Sequence, residues 1–399
     1  MASVVAASTA EDVRAAIADC AAAGRTVEIV SGGSKRGIGR LTHTDVELDV
    51  SALSGVVDYE PDELVIVAKP GTPVAAIEET LANRRQVLAF EPPNLSTLLG
   101  VNRAPTIGGI IASNLAGPRR VQAGAPRDHF LGFEAVSGEG TAFQAGGRVM
   151  KNVTGYDLPK LLAGSWGTLA VLTQVNLRTA PMPETEGTLV VAGLDPAAAM
   201  RLLTRAMQSP AAVSGAAYIT AAAAATLDGA PAPGSLTCLR LEGTAASVKA
   251  RLAIVRALAD GAGDEIAEAH SRPLWRAIRD GLPLARLADH AVWRVHVEPS
   301  LAANVATGLS AAGAKIIVDW AGGLLTVALP EAAAGNDPVS RELPKGRGHA
   351  ILVKATETLR QTFPVFSSLE PAVAALSARV KAAFDPKGIL NPGRLYDTH

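Results

Sequence analysis

The start of the chain alternates between helical and strand-like hydrophobic patterns. Apolar residues recur at helical intervals over residues 13–20, and Ser8 and Glu11 before them have the spacing of a capping box. Residues 26–30 and 64–68 have the apolar patterns of short strands. Strands and helices in alternation are typical of an α/β unit.

Proline positions predict a helix start and a linker, and the chain length predicts two domains. Thr72 is predicted to be the N-cap of a helix, with Pro73 at its first position. Pro181 and Pro183 predict a linker. Because 399 residues exceed what one hydrophobic core usually organises, we expect two domains.

Beyond this linker, short strand signals are separated by helical patterns. Asp195 followed by Pro196 predicts a helix start. Residues 221–225 and 331–345 are predicted to be loops or insertions. Helices on one face of an antiparallel sheet would account for this order. The strand signals lie at residues 188–192, 236–241, 292–297, 316–319, 324–329 and 351–354.

Composition and charge narrow the range of partners. Apolar residues make up 48% and charged residues 19%, and the formal net charge is −1, so nothing favours nucleic acid or an anionic membrane. Cys20 and Cys238 match no metal spacing and predict reduced thiols in a reducing compartment, the cytoplasm. No apolar run reaches the roughly 18–20 residues of a spanning helix, and residues 1–10 lack a secretory pattern. Any membrane contact is therefore expected at the inner face, through another subunit.

Three glycine clusters carry the candidate chemistry, at residues 32–35, 108–109 and 164–168. Main-chain N–H groups converge on a diphosphate only where side chains do not block the approach, which favours glycine. Each cluster alone is an ordinary turn signal. The G-x-G-x-x-G pattern with its acidic residue is absent in good form, which disfavours a nicotinamide cofactor in a Rossmann domain.

Taken in order, these elements resemble the vanillyl-alcohol oxidase / p-cresol methylhydroxylase superfamily of FAD proteins. The motifs are V-S-G-G-S-K at residues 30–35, P-T-I-G-G-I-I-A-S-N at 105–114, G-S-W-G-T-L at 164–169 and D-P-K-G-I-L-N-P-G-R at 385–394. The resemblance implies an α+β fold, with a two-part FAD-binding domain of the vanillyl-alcohol oxidase type and a ferredoxin-like α+β cap domain with an antiparallel sheet. The implied division is residues 1–182 for the FAD-binding domain, 183–375 for the cap or substrate domain, and 376–399 for a C-terminal segment that returns to the flavin.

The resemblance also implies which residues contact the FAD. Relatives with covalent FAD attach it through a histidine in the first glycine loop, where this chain has Ser34 and Lys35, so we expect non-covalent FAD. The first loop would hold the pyrophosphate through its main chain, the second would line the pyrophosphate and isoalloxazine, and the third would approach the adenine and ribose. The implied cofactor-binding residues are Gly32, Gly33, Ser34, Lys35, Thr106, Gly108, Gly109, Ala112, Ser113, Asn114, Gly164, Gly167, Thr168 and Asn391.

A narrower resemblance is to the family of FAD-binding accessory subunits of glycolate oxidases. Its motifs are L-A-G-P-R-R at residues 115–120, V-M-K-N-V-T-G-Y-D-L at 149–158, W-R-V at 293–295, D-W-A-G-G at 319–323 and G-H-A at 348–350. It implies oxidation of a small 2-hydroxy acid, glycolate, to glyoxylate. The implied partners are a homologous FAD subunit and an iron–sulfur subunit that takes the electrons; no nucleic acid and no direct membrane span are expected.

Two motifs absent from the sequence leave the role of this subunit open. Relatives that oxidise 2-hydroxy acids with a metal carry G-D-G-N-x-H and E-H-G, and this chain has neither, so no metal ligands are assigned. One hypothesis is a subunit that performs or completes flavin chemistry on the substrate. The other is a non-catalytic FAD-bearing subunit for assembly or electron relay beside a catalytic homologue.

Arg294 and His349 are the candidate catalytic residues. Arg294 and His296 alternate with apolar residues, so their face is either a cleft over the flavin, where an arginine pairs with a carboxylate, or a solvent-facing surface. His349 is either a base near the flavin N5 or a structural histidine. Lys151 and Tyr156 are either phosphate or ribose contacts or structural loop residues.

Two tryptophans and two arginines of the quoted motifs have predicted roles outside the chemistry. Trp166 and Trp320 are predicted in the core or an interface. Arg119 and Arg120 are either part of a subunit contact or a solvated basic pair.

Overall fold

The computed structural model describes residues 2–148, 155–287, 289–335 and 337–396, and the N-terminal part of the chain forms small separate sheets. Its strands are β1 (Ser3–Ala6), β2 (Val27–Val30), β3 (Val46–Asp49), β4 (Val56–Glu60), β5 (Val65–Ala68), β6 (Gln86–Val87), β7 (Phe130–Ser137), β8 (Ala142–Gly146), β9 (Ala170–Arg178) and β10 (Ala180–Pro181). The order β1-β3-β2 is parallel, β4-β5-β9-β7-β8 is antiparallel, and β6 pairs with β10.

Helices connect these strands and cover the sheets. The apolar stripe of the first helix is buried at Val13, Ile17 and Cys20 and packs in one core with Leu48 of β3, which confirms the helical pattern. The helices are α1 (Ala10–Ala23), α2 (Val74–Ala82), α3 (Ser96–Leu99), α4 (Ile107–Ser113), α5 (Arg120–Ala123), α6 (Pro126–His129) and α7 (Leu158–Leu162).

Two helix starts differ from the predicted caps. Thr9, not Ser8, caps α1: its hydroxyl accepts from the Asp12 amide, and the Asp12 carboxylate accepts from the Thr9 amide. Thr72 does not cap α2, because its hydroxyl bonds to the backbone flanking the β4–β5 hairpin and Pro73 takes the N-cap position. In both cases a competing hydrogen bond decides which residue ends the loop.

From residue 185 onward, the described chain forms one eight-stranded antiparallel sheet. Its strands are β11 (Thr185–Ala192), β12 (Gly215–Ile219), β13 (Leu236–Gly243), β14 (Asp264–Ala267), β15 (His290–Val297), β16 (Lys315–Asp319), β17 (Leu324–Pro330) and β18 (Gly348–Lys354). Their order is β14-β11-β13-β12-β16-β17-β15-β18. The antiparallel sheet and the α+β class are confirmed.

Helices lie between these strands, including two regions expected to be loops. Residues 221–225 contain a short helix, and residues 331–345 contain two. Asp195 caps its helix as predicted, accepting from the Ala198 amide at 2.7 Å. The helices are α8 (Pro196–Met207), α9 (Ala221–Ala224), α10 (Ala245–Leu258), α11 (Glu268–Asp280), α12 (Leu282–Ala285), α13 (Ala302–Ala311), α14 (Glu331–Ala334), α15 (Pro338–Glu342) and α16 (Glu357–Thr362).

Helices cover both faces of the eight-stranded sheet, which corrects the expectation of helices on one face. Leu203, Leu252 and Leu309 of α8, α10 and α13 share one core. On the opposite face, Trp275 of α11 donates its indole N–H to the Thr188 hydroxyl at 2.8 Å. Because β11 is buried on both sides, its sequence carries no alternation that would reveal a second helical layer.

The second face of this sheet also packs against the N-terminal part of the chain. Leu98 and Leu115 belong to the same buried core as Ile278 of α11. Arg240 of β13 forms a bidentate pair with Glu91, at 2.8 and 2.9 Å. The two parts are therefore joined by an apolar core and by a buried ion pair.

The C-terminal helix α17 (Pro371–Phe384) brings the chain back to the first sheet. Leu390 pairs with Val27 in a parallel bridge. Lys381 is buried and donates to the carbonyls of Thr168 and Leu390 and to the Asp385 carboxylate. The boundaries after residues 182 and 375 stay predictions.

Both cysteines are buried free thiols. Burial raises the pKa of Cys238 to about 12, so it stays protonated and unreactive. Within the described residues, no helix combines the length and the apolar character that crossing a bilayer requires. The predicted compartment stays a prediction.

Candidate cofactor site

Two adjoining cavities lie where the loop after β2, helix α4 and the C-terminal return meet. The predicted residues found in their walls are Gly32, Gly33, Ser34, Lys35, Thr106, Gly108, Gly109, Ala112, Ser113, Gly167 and Asn391.

Residues 32–35 of the first loop are consecutive in the cavity wall. The N–H groups of residues 32–35 donate to no acceptor among the described residues. The hydroxyl of Ser31, which lines both cavities, is buried and likewise has no described partner. Because buried donors are almost always satisfied, unpaired donors around a cavity indicate anion binding. The diphosphate of a dinucleotide fits this donor set.

Glycine is required at two wall positions because other atoms lie directly against them. A Cβ on Gly32 would lie 2.5 Å from the Ala104 carbonyl oxygen and 2.8 Å from the Thr106 Cγ2. A Cβ on Gly108 would lie 2.5 Å from the Pro70 Cβ. This close packing holds the first loop against the start of α4.

The Lys35 side chain extends across the cavity wall towards α4. Its Nζ lies 3.4 Å from where a Cβ on Gly109 would be, and donates to the Ser34 hydroxyl at 3.3 Å. Burial lowers the pKa of Lys35 to about 8. No carboxylate of the described chain pairs with this ammonium.

Trp166 and Arg394 are cavity residues to which motif reasoning gave no cofactor role. Trp166 lines both cavities, and the Arg394 guanidinium lies 5.8 Å from its ring. Arg394 also donates to the Lys35 carbonyl at 3.0 Å. The signal was present, because Trp166 stands inside the third glycine cluster and Arg394 ends the C-terminal motif.

Asn391 lines both cavities, but its amide is largely engaged within the chain. Its Oδ1 accepts from the Ile29 amide at 2.8 Å, and its Nδ2 donates to the Trp166 carbonyl at 2.7 Å. Asn391 therefore positions the end of β2 and Trp166 relative to each other, with one Nδ2 proton remaining for a ligand.

Three of the predicted cofactor-binding residues lie outside the cavity walls. Asn114 ends α4 in a left-handed conformation, and its Oδ1 accepts from a backbone amide of α6. Gly164 donates its amide to the Ile111 carbonyl. The Thr168 hydroxyl donates to the Ser165 carbonyl at 2.7 Å. The structure gives these residues roles in loop conformation.

Arg294 and His349 lie together in a second cluster, outside the walls of both cavities. His296 is opposite His349 in the β15–β18 pair, and their imidazoles stack at 4.6 Å. Arg294 is 5% exposed, and its guanidinium lies 5.7 Å from the Trp320 ring without a hydrogen bond to any described residue. Arg120 of α5 covers the same indole at 4.5 Å. Arg294 therefore faces the N-terminal part of the chain and not solvent, while His349 stays exposed.

Burial governs the charge of this second cluster. It lowers the pKa of Arg294 to about 10 and raises the pKa of Asp319 to about 7. Burial and the charge of Arg294 hold the pKa of His296 well below its usual range. At neutral pH the positive charge of the cluster therefore comes from Arg294 and Arg120, an arrangement that favours a small carboxylate.

The remaining candidate residues from the sequence are Arg119, Tyr156 and Lys151. Arg119 pairs with the buried Glu242 inside the chain, so it is neither solvated nor available to a partner. Tyr156 is 92% exposed and lines neither cavity. Lys151 lies outside the described residues. Within those residues, no group of three His, Cys, Asp or Glu side chains could hold a metal ion.

The chain matches two families of FAD proteins, and both matched segments contribute to the cavity wall. The chain matches the FAD binding domain family over residues 1–146 and the C-terminal domain family of FAD linked oxidases over residues 365–395. The two matched segments contain the first loop, α4 and Asn391, which the structure brings to the same cavity.

Relatives match the chain along different lengths. Glycolate oxidase subunit GlcE of Escherichia coli is 32% identical over 388 residues, which cover 97% of this chain and 96% of that protein. Glycolate oxidase subunit GlcD of Bacillus subtilis is 33% identical over 138 residues, 35% of this chain and 28% of that protein. A solved structure of p-cresol methylhydroxylase superposes with a TM-score of 0.74 at 17% identity, covering 99% of this chain and 89% of that one.

Proposed function

Because this chain belongs to the family of FAD-linked oxidases that contains the glycolate oxidase subunit GlcE, we propose that it takes part in oxidising glycolate to glyoxylate within a multi-subunit complex. It is an FAD-dependent oxidoreductase subunit, and FAD is its cofactor. The observation that carries the proposal is a match along nearly the whole length of both chains, in a chain whose cavity is lined by unpaired amides.

The first loop and α4 have what a bound FAD needs. The amides of residues 32–35 would hold the diphosphate, and Ser31 would add a hydroxyl. Bound FAD supplies the two-electron redox chemistry. No histidine or cysteine stands in this loop, which supports non-covalent binding. Asn391 and Trp166 would keep the cavity in shape from the C-terminal side.

Arg294 and His349 are proposed to act on the substrate. A buried guanidinium without a described hydrogen-bond partner can pair with the glycolate carboxylate, and Arg120 adds a second positive charge beside the same indole. The exposed His349 imidazole can accept a proton there.

The proposed partners are a homologous FAD subunit and an iron–sulfur subunit that receives the electrons. The names of two relatives, subunits GlcE and GlcD of glycolate oxidases, support an assembly of different subunits. Affinity purification of the native protein should recover a flavoprotein homologue together with an iron–sulfur protein. Recovery of the chain alone would contradict the assembly and leave FAD binding intact.

A second candidate function is assembly or electron relay without direct chemistry. It is favoured by the absence of the G-D-G-N-x-H and E-H-G motifs from the sequence. The proposed partners and cofactor are the same under both functions, so only substrate oxidation by the isolated chain separates them.

Anaerobic addition of glycolate to the purified, FAD-loaded chain is the decisive test. Bleaching of its flavin absorbance supports direct oxidation, and R294M should then need about 100-fold more glycolate for the half-maximal rate of bleaching, because a buried charge pair is lost. R286M removes an exposed arginine and should leave the titration unchanged. Bleaching that requires the other subunits supports the relay function.

A further inference from the structure

We propose that the Lys35 side chain is a direct ligand of the FAD diphosphate and makes this site select dinucleotides over the flavin ring alone. The inference goes beyond the main-chain cradle and rests on the proposal that FAD occupies this cavity. It concerns a side chain that the motif comparison treats only through its backbone.

The position of the ammonium is the first support. Lys35 is in the loop whose amides have no described acceptor, and its side chain crosses to the start of α4. The only hydrogen bond of Nζ to a described residue goes to the Ser34 hydroxyl, at 3.3 Å. An ammonium can donate three hydrogen bonds, so two remain for ligand oxygens.

The charges around Lys35 are the second support. Arg36, the next residue, is neutralised by Glu28 and Glu47, at 2.5 and 2.6 Å. Arg394 donates to the Lys35 carbonyl from the C-terminal return, and the Arg103 side chain lies over Gly33. Helix α4 and the residue before it contribute Thr106, Gly109, Ala112 and Ser113 to this cavity wall, and all four are uncharged. A cation that is not matched by an acid here favours a phosphate.

The same geometry predicts a pH dependence of FAD affinity. Burial lowers the pKa of Lys35 to about 8 in the free protein, and a phosphate beside it would raise that pKa. FAD binding would then take up a proton, so affinity is highest below about pH 8 and falls as the pH rises through it. Between about pH 7 and pH 9 the protonated fraction of free Lys35 falls about tenfold, and affinity should fall by about the same factor.

Titration of the apo chain with FAD, ADP and riboflavin tests this inference without measuring turnover. K35M keeps the length of the side chain and removes the charge, K35R keeps the charge, and K249M removes an exposed lysine of α10 as the control. K35M should bind FAD and ADP about 10- to 100-fold more weakly at pH 7 and riboflavin equally well. K35R should retain affinity but lose the pH dependence, because arginine does not deprotonate in this range.

The outcomes separate this inference from the proposed function. If all variants and the native chain bind FAD equally with the same pH profile, Lys35 is not a phosphate ligand, although FAD binding stands. If K35M weakens riboflavin as much as FAD, the lysine acts on cavity shape and the inference fails. If the native chain binds neither FAD nor ADP, the cofactor assignment fails with it. Circular dichroism on each variant establishes that its fold is retained.

Discussion

At the scale of single residues, the candidate site depends on main-chain donors, and its side chains mostly hold the backbone in place. The unpaired amides belong to residues 32–35 in the cavity wall. The Asn391 side-chain amide instead accepts a hydrogen bond from the Ile29 N–H and donates one to the Trp166 carbonyl. Gly32 has a steric role, because backbone atoms lie where its Cβ would be. Small changes in backbone position should therefore affect binding more than changes in surface charge do.

Substitution of Gly32 by alanine should weaken FAD binding with the fold retained. The new Cβ would lie 2.5 Å from the Ala104 carbonyl oxygen, so the loop must shift and its unpaired amides must move with it. Overpacking of this kind costs about 1–3 kcal/mol, which corresponds to about a 10- to 100-fold weaker affinity by fluorescence titration. Gly37, in the same loop, has open space around its Cβ position, so G37A should bind as the native chain does. Equal affinities of G32A and G37A would contradict the role of Gly32.

Sequence motifs located the cavity wall but not the orientation of every residue in it. Gly167 lines the cavity, whereas Gly164 and Thr168 of the same motif serve the loop behind it. Glycine spacing indicates a tight backbone, but which side of that backbone faces a ligand depends on tertiary packing. Trp166 packs against the apolar core, as predicted, and its additional place in the cavity wall is not visible in the motif.

At the scale of elements, the sequence pattern predicts buried β-branched strands but not helices of a single turn. Residues 316–319 were expected as a strand and are observed as Lys315–Asp319, because β-branched residues and burial point the same way. The four-residue helix Ala221–Ala224 was expected as a loop, since one turn carries no periodicity to detect. The second helical layer on the sheet was missed because β11 is buried on both sides.

A buried lysine contributes to holding the C-terminal return, and K381M should loosen it. Lys381 donates to two carbonyls and to the Asp385 carboxylate, which is buried and would lose its cation. Removing one partner of a buried ion pair costs about 3–5 kcal/mol, measurable as a lower free energy of unfolding in urea. FAD should also dissociate faster, because the return carries Asn391 into the cavity wall.

Lys387 provides the matched control for this element. It lies on the same return, is exposed, and has one carbonyl acceptor at 2.7 Å, from Ala21. K387M should cost about 1 kcal/mol and leave FAD dissociation unchanged. Similar losses in K381M and K387M would show that the buried ion pair does not hold the return.

At the scale of the whole molecule, charged contacts join the two halves inside a core: Arg240 pairs with Glu91, and Arg119 pairs with Glu242. Arg240 is 2% exposed and pairs with Glu91 through two hydrogen bonds. Although burial opposes ionisation, Arg240 and Arg119 lower the pKa of Glu91 to about 2. No sequence pattern indicates this pair, because its members are 149 positions apart and neither belongs to a motif.

Breaking this pair from one side should therefore cost more than removing it altogether. E91Q removes the carboxylate that accepts two hydrogen bonds from Arg240 and leaves this buried charge with Glu242 at 3.7 Å. This loss should cost about 3–5 kcal/mol of the free energy of unfolding. In E91Q/R240M neither charge remains, so the double variant should lose at least about 2 kcal/mol less than the sum of the two single losses. The Glu91 contribution is present above its ordinary pKa of 4.5 and is lost as the pH falls towards 2, so E91Q should also flatten the acid side of the stability profile. D228N, which breaks an exposed pair with Arg286, should cost no more than about 0.5 kcal/mol. Additive losses in urea unfolding would mean that Glu91 and Arg240 stabilise their own halves separately, and that their pairing does not hold the N-terminal part against the sheet.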